Sequence, residues 1–300
     1  MPQVLIIIGI ILIAGICYLL KIKTAFWPYC YYKHTVKIQK DIAYLDDGNP
    51  KHKLDIYLPK DKASFPLVIF IHGGYWVSGD RRYHTWITGL YASVGIFLAR
   101  AGYGVIIPSY RLGKEITISD QLEDVSSVIK WTVTNSDSLG ASNKLIIMGH
   151  SAGGHIASLL TNSHFLQEKY GIEPKTITGC LALSPILNVV DMIKNANDNF
   201  KSRVYWPIFS RSIENQKIYS PDSYLTHLPL VSTPQLVLVG ERDIKTIRRN
   251  AQVIVKASQG LGLNIKYMEI SGLSHSQMMT SFGSPKNPPL SEVLSFLETI

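Results

Sequence analysis

Residues 144–155, Lys-Leu-Ile-Ile-Met-Gly-His-Ser-Ala-Gly-Gly-His, restrict the possible folds of this 300-residue chain more than any other stretch. An apolar run ends in Gly149-His150-Ser151-Ala152-Gly153, a G-x-S-x-G pattern, and small residues suited to a helix start follow. The pattern predicts a strand, a tight turn and a helix, with Ser151 at the apex. Such a turn holds its serine in a strained backbone conformation with the hydroxyl exposed and ready for activation. Bulky side chains two positions before or after it would collide across the turn, which gives Gly149 and Gly153 a steric reason.

The flanking sequence supplies the setting this turn needs. Short, fully apolar runs at Pro66–Ile71, Gly104–Tyr110, Leu145–Met148, Ile177–Leu183, Gln235–Val239 and Asn264–Ile270 read as buried strands. Helices are expected over 82–101, Ile118–Thr134, from Ala152 onward, over Thr246–Gly260 and over Leu290–Leu297. Two further strands, Thr35–Leu45 and Leu54–Leu58, flank a turn at Asp46-Asp47-Gly48-Asn49-Pro50. Apolar strands alternating with helices imply a mostly parallel sheet covered on both faces. With 46% hydrophobic and 17% charged residues, the chain has material for one large α/β domain. Residues 186–232 break the alternation with an insertion that carries Phe200, Tyr205, Trp206, Phe209, Tyr219 and Tyr224. Long insertions in compact domains are commonly lids or binding loops, so a cap is expected here.

In an open parallel sheet, sites form at the carboxyl ends of strands. His72-Gly73-Gly74, Ser151 and Asp243 each follow a predicted strand, and His275 follows the last one. A serine hydroxyl needs a base, and the base needs an orienting acid. His275, in Ser271-Gly-Leu-Ser-His-Ser, fills the expected late position, and only His227 lies elsewhere in the final third of the chain. Leu236-Val-Leu-Val-Gly-Glu-Arg-Asp243 offers two acids, Glu241 and Asp243. Gly73 and Gly74 permit close approach of their backbone N–H groups to a substrate. His150 and His155 flank the elbow and read as structural. Cys17, Cys30 and Cys180 lack zinc-ligand spacing and are too scattered for a disulfide framework. No metal cluster or phosphate-cradling loop is evident, so neither metal nor cofactor is expected.

The N-terminus is of another kind. Val4–Leu20 is an uncharged apolar run of 17 residues, roughly 26 Å long as a helix at about 1.5 Å per residue. That is the short end of a membrane span. Lys21 and Lys23 follow, then Phe26, Trp27, Tyr29, Tyr31 and Tyr32, an interfacial composition. The expected organisation is a membrane anchor and juxtamembrane segment over 1–34, followed by a catalytic domain over 35–300. Five lysines and no acid between 21 and 40 place that domain in the cytosol by the positive-inside rule. The alternative is a signal peptide and secretion, but the run lacks a positive n-region and a clear cleavage site. An anchor ending this close to the first strand is expected to keep the pocket near the bilayer. The net charge of +8 is concentrated in this segment, and no basic helix suggests nucleic acid.

The chain resembles the α/β-hydrolase superfamily, in the branch of esterases with an HGG oxyanion loop. The resemblance rests on Leu54-Asp-Ile-Tyr-Leu-Pro, His72-Gly-Gly-Tyr-Trp, Ser109-Tyr-Arg-Leu, Glu123-Asp124 before Trp131, Gly149-His-Ser-Ala-Gly153, Ser220-Pro221, Gly240-Glu-Arg-Asp243 and His275. It implies an α/β-hydrolase fold with a cap insertion, here with one N-terminal transmembrane helix added. It implies a nucleophile at Ser151, an acid at Asp243 and a base at His275. It further implies oxyanion donors at Gly73, Gly74 and Ala152. An N-terminal apolar segment and Thr117-Ile-Ser-Asp120 resemble isoprenylcysteine methylesterase-like proteins; His72-Gly-Gly-Tyr-Trp76 resembles kynurenine formamidase-like ones. The implied activity is hydrolysis of a carboxylic ester, apolar or lipid-like, with formamide cleavage by the same groups as the alternative. A non-catalytic ligand-binding use of the fold is disfavoured by the presence of His275.

Overall fold

A computed structural model describes residues 30–83, 89–227, 231–282 and 288–300. Eight strands form one sheet: β1 (Val36–Ala43), β2 (Lys53–Pro59), β3 (Phe65–Ile71), β4 (Gly104–Pro108), β5 (Ala141–His150), β6 (Gly179–Leu183), β7 (Gln235–Arg242) and β8 (Ile265–Ser274). Their order is β1-β2-β4-β3-β5-β6-β7-β8. The β1–β2 and β2–β4 pairs are antiparallel, and every other pair is parallel. This is the α/β-hydrolase fold.

The strands alternate with period two, so each feeds both faces of the sheet. Leu67, Ile69, Ile147, Ala182 and Val237 enter one core; Val68, Phe70, Met148, Leu181 and Leu236 enter the other. Helix α1 (Leu90–Arg100) covers the second face, and α2 (Ile118–Leu139) and α3 (Ala152–Asn162) cover the first. A short α4 (His164–Tyr170), not anticipated from the sequence, follows α3. Helix α5 (Lys245–Gly260) joins the first face and α6 (Pro288–Leu297) the second.

Two helix boundaries differ from expectation. The helix expected over 82–101 begins at Leu90, after Gly89 at φ 64°. Arg81 and Arg82 are drawn back onto the buried Asp55 carboxylate, at 3.2 and 2.7 Å, and both also reach Asp41. Residues 84–88 lie outside the described residues. Helix α2 runs past Thr134 to Leu139 and stops at Gly140, which is left-handed. Its late serines satisfy their hydroxyls within the helix, Ser136 on Val133 O and Ser138 on Asn135 O.

The insertion, described over 186–227 and 231–232, is built mainly of short helices between Val189 and Leu225, including a π-helical turn over Lys201–Tyr205. Its aromatics do not all line an opening. Tyr205, Phe209 and Tyr219 are buried in the first core, whereas Phe200 is only partly covered.

The expected span Val4–Leu20 lies outside the described residues; among those, no helix is long and apolar enough to cross a membrane. The sheet register fixes where the described part of the chain enters the sheet. Val36 pairs with Pro59, and Tyr57 with Val105, so β1 starts at the edge where the parallel strands begin. The serine elbow sits at the opposite edge, where those strands end. Seven-residue β3 separates the two by roughly 23 Å at about 3.3 Å per residue. The start of β1 and the serine elbow thus lie at opposite edges of the sheet.

Candidate active site

The register brings the expected residues to one edge. Ile71 pairs with Gly149, His150 with Leu183, and Leu183 with Leu238, so the loops after β3, β5, β6 and β7 emerge side by side. Ser151 has φ 55° and ψ −118°, a conformation L-residues avoid. The turn leaves no room around it. A Cβ at Gly149 would lie 2.3 Å from Gly153 C, and one at Gly153 would lie 2.1 Å from Ile71 O.

His275 follows β8 and faces Ser151, with Nε2 at 2.9 Å from Oγ. Its Nδ1 lies 2.8 Å from Asp243 Oδ1. A proton on Nδ1 donated to the carboxylate leaves Nε2 free to accept the serine hydroxyl, a tautomer assigned from its partners. Burial alone would raise the Asp243 pKa. The hydrogen bond and charge of His275, the Ser184 hydroxyl and the Ile244 N–H outweigh it and hold the carboxyl below its usual range. Glu241 points elsewhere: it is exposed and accepts from Ser271 Oγ at 2.9 Å and Gly272 N at 2.6 Å. A carboxylate, an imidazole and a hydroxyl in this line can move a proton off the serine as it attacks a carbonyl.

Gly73 lies against the nucleophile: a Cβ there would be 3.3 Å from Ser151 Cβ. Gly74 has φ 133°, and its carbonyl accepts from Val77 N and Ser78 N, closing the loop. Ala152 opens α3, so its N–H has no acceptor within the helix. Among the described residues, no group of three or more His, Cys, Asp or Glu side chains is arranged to hold a metal.

The BD-FAE family profile matches residues 54–257, which include the glycine loop, the elbow and Asp243. The chain belongs to the BD-FAE family. This BD-FAE protein is 27% identical over 284 residues to isoprenylcysteine alpha-carbonyl methylesterase ICME of Arabidopsis thaliana, covering 89% of this chain and 63% of that one. It thus spans under two thirds of that relative's length. It is 26% identical to kynurenine formamidase of Danio rerio, covering 74% of this chain and 70% of the relative. In fold it is similar to esterase B from Lactobacillus rhamnosis, with TM-score 0.74 and 22% identity over 92% of this chain and 90% of that one.

Several side chains around the BD-FAE site were not anticipated as part of it. Ser184, after β6, adopts φ 48° and donates its hydroxyl to Asp243 Oδ2 at 2.5 Å. Its signal was a serine directly after a buried strand on the site edge. His150, read as structural, packs its ring 4.8 Å from that of His275 and donates Nε2–H to the His275 carbonyl at 3.1 Å. Burial pushes His150 down to about 3, so it stays neutral. His72 is sandwiched between Tyr91 and Tyr110 and donates Nδ1–H to Gly73 O at 2.8 Å. Tyr110 in turn donates to His72 O at 2.8 Å.

The residues after the glycines carry strain. Tyr75 and Trp76 have φ 55° and 63°, and left-handed backbone at non-glycine residues costs on the order of 1–3 kcal/mol each. Trp76 is held in return. Gln121 Nε2 donates to its carbonyl at 2.6 Å, and its own Nε1–H donates to His155 Nδ1 at 3.2 Å.

Proposed function

We propose that this protein is a serine hydrolase that cleaves carboxylic esters carrying an apolar portion. The observation that carries the reading is the hydrogen-bonded line Ser151–His275–Asp243 at the apex of a strained elbow. In the first half-reaction Ser151 Oγ bonds to the carbonyl carbon while its proton passes to His275 Nε2. Asp243 stabilises the imidazolium that results. The Gly73, Gly74 and Ala152 N–H groups receive the negative oxygen. His275 returns the proton to the departing alkoxide, which leaves as an alcohol. In the second half, His275 takes a proton from water as the water oxygen bonds to the acyl carbon; the bond to Ser151 Oγ then breaks, Oγ receives that proton from His275, and the acid leaves.

The apolar preference is supported by the wall beside the donors. Tyr75 is 42% exposed next to Gly74, and its ring meets Phe200 of the cap at 5.4 Å. Each CH₂ buried there is worth about 0.8 kcal/mol. A relative named for methyl-ester cleavage on isoprenylcysteine agrees with this class. The second reading is formamide hydrolysis by the same groups, favoured by the kynurenine formamidase relative. Residues 4–20 complete the proposal as an anchor, with the domain in the cytosol.

The test is kcat/KM for a chain-length series of esters and for N-formylkynurenine on one preparation, with fluorophosphonate labelling of Ser151 as control. The ester reading expects kcat/KM to climb from acetate toward medium chains. Rapid formamide turnover beside a flat, weak ester series would replace it with the second reading. Absence of labelling would remove both.

A further inference from the structure

His155 lies one turn beyond the nucleophile, its N–H bonded to Ser151 O at 2.9 Å, and takes no part in the chemistry above. It is fully buried, yet both ring nitrogens are engaged. Trp76 Nε1 can only donate, so His155 Nδ1 must accept and the ring proton must sit on Nε2. That proton is donated to Tyr219 O, at 2.7 Å. One imidazole therefore joins three segments that are far apart in sequence: the loop after β3, the helix after the elbow, and the insertion.

We infer that His155 is a positioning residue that ties the oxyanion loop to the cap, so that the docked cap holds Gly73 and Gly74 in their acylating shape. This rests on the hydrolase reading of the site. The loop needs such a tie because Tyr75 and Trp76 are both left-handed, and left to itself it would relax. Aromatic packing runs the same way: Phe209 of the insertion meets Trp76 edge-on at 4.9 Å and His155 at 5.5 Å. Tyr205 meets Trp76 at 6.1 Å and Phe200 at 5.1 Å, and Phe200 meets Tyr75. Phe200, Tyr205 and Phe209, which meet Tyr75 and Trp76, all belong to the insertion. A protonated His155 would present two donors and lose Trp76. Burial pushes its pKa down to about 4, which keeps the accepting form in place at neutral pH.

A histidine that merely fills the core predicts lost stability and little else. A tie predicts a selective loss in the transition state. The experiment compares His155→Leu, His155→Gln and Trp76→Phe in the full chain, reading kcat, KM, affinity for a trifluoromethyl ketone and thermal stability. His155→Leu is expected to lower kcat on the order of 10²-fold, as misplacement by about 1 Å does, with KM within about twofold. Ketone affinity should fall with kcat, because the ketone's adduct oxygen occupies the same donors. Trp76→Phe keeps an aromatic ring without the N–H and should reproduce the loss. His155→Gln offers one acceptor and one donor and should recover most of the activity. An unchanged kcat in His155→Leu or Trp76→Phe, or a kcat loss without the ketone loss, overturns the inference. If the variants do not fold, nitrogen NMR on the unmodified protein decides. A His155 protonated on Nδ1, or a Trp76 indole N–H that exchanges freely, overturns the tie. That readout needs no turnover, so it separates failure of the tie from failure of the hydrolase reading.

Discussion

Replacing Asp243 by Asn isolates what its charge contributes. Asp243 Oδ1 receives Ile244 N–H at 2.7 Å and faces His275 Nδ1 at 2.8 Å, while Oδ2 receives the Ser184 hydroxyl at 2.5 Å. In Asp243→Asn the amide oxygen is held at the Oδ1 position, because two donors converge there. The amide nitrogen takes the Oδ2 position, where the Ser184 hydroxyl turns to accept, and the long Gly240 N contact at 3.4 Å is lost. The imidazole thus keeps its orientation and loses only a negative charge. At an effective dielectric near 20, unit charges about 4 Å apart interact by about 4 kcal/mol. With tenfold in rate for about 1.36 kcal/mol, kcat should fall roughly 10³-fold. The assay is hydrolysis of a p-nitrophenyl ester, with parallel fluorophosphonate labelling rates. Glu241→Gln, at an exposed group bonded to Ser271 and Gly272, should stay within about threefold. A loss under tenfold for Asp243→Asn, or a larger one for Glu241→Gln, would refute the assignment of the acid.

Gly153→Ala puts a Cβ 2.1 Å from Ile71 O and 2.6 Å from His72 O, both backbone atoms; a loss above about 4 kcal/mol in urea unfolding is expected, and a near-native midpoint would contradict the packing described. His72, His150 and His155 are buried and neutral, with pKa values pushed by desolvation to about 4, 3 and 4 from 6.5. Between pH 6.5 and 4 the unfolded chain binds protons that the folded one refuses. Stability should therefore fall with decreasing pH across that window, by on the order of 1.4 kcal/mol per pH unit for each histidine fully engaged. Urea midpoints that stay flat from pH 6.5 to 4.5 would count against their burial. Alkaline carbonate washing of membranes should leave the full chain in the pellet, and protease should reach the domain in sealed microsomes; a mature N-terminus beyond residue 20 would end the anchor proposal.

Much of this architecture is legible in the sequence because buried parallel strands are apolar on both faces. Leu145–Met148 and Gln235–Val239 needed no further information, and Gly149 and Gly153 fixed the elbow between strand and helix. What stayed hidden depends on contacts between distant segments. Arg81 and Arg82 fold back onto Asp55, a contact that no local pattern announces. The choice between Glu241 and Asp243 turns on which carboxylate meets the His275 ring after β7 and β8 have paired. His155 looked structural and is buried, yet its partners come from residues 76 and 219. Strand pairing is equally hidden, and the two antiparallel pairs decide at which edge β1 begins.

That edge has a further property. Ile300 packs over Gly179 at the start of β6, and Lys144 near the start of β5 donates to its carbonyl at 2.6 Å. Both ends of the described domain therefore lie at the floor of the sheet, at the edge opposite Ser151, His275 and Asp243. A fused partner or a coated bead attached to either of these ends therefore meets the sheet at the edge away from the serine elbow.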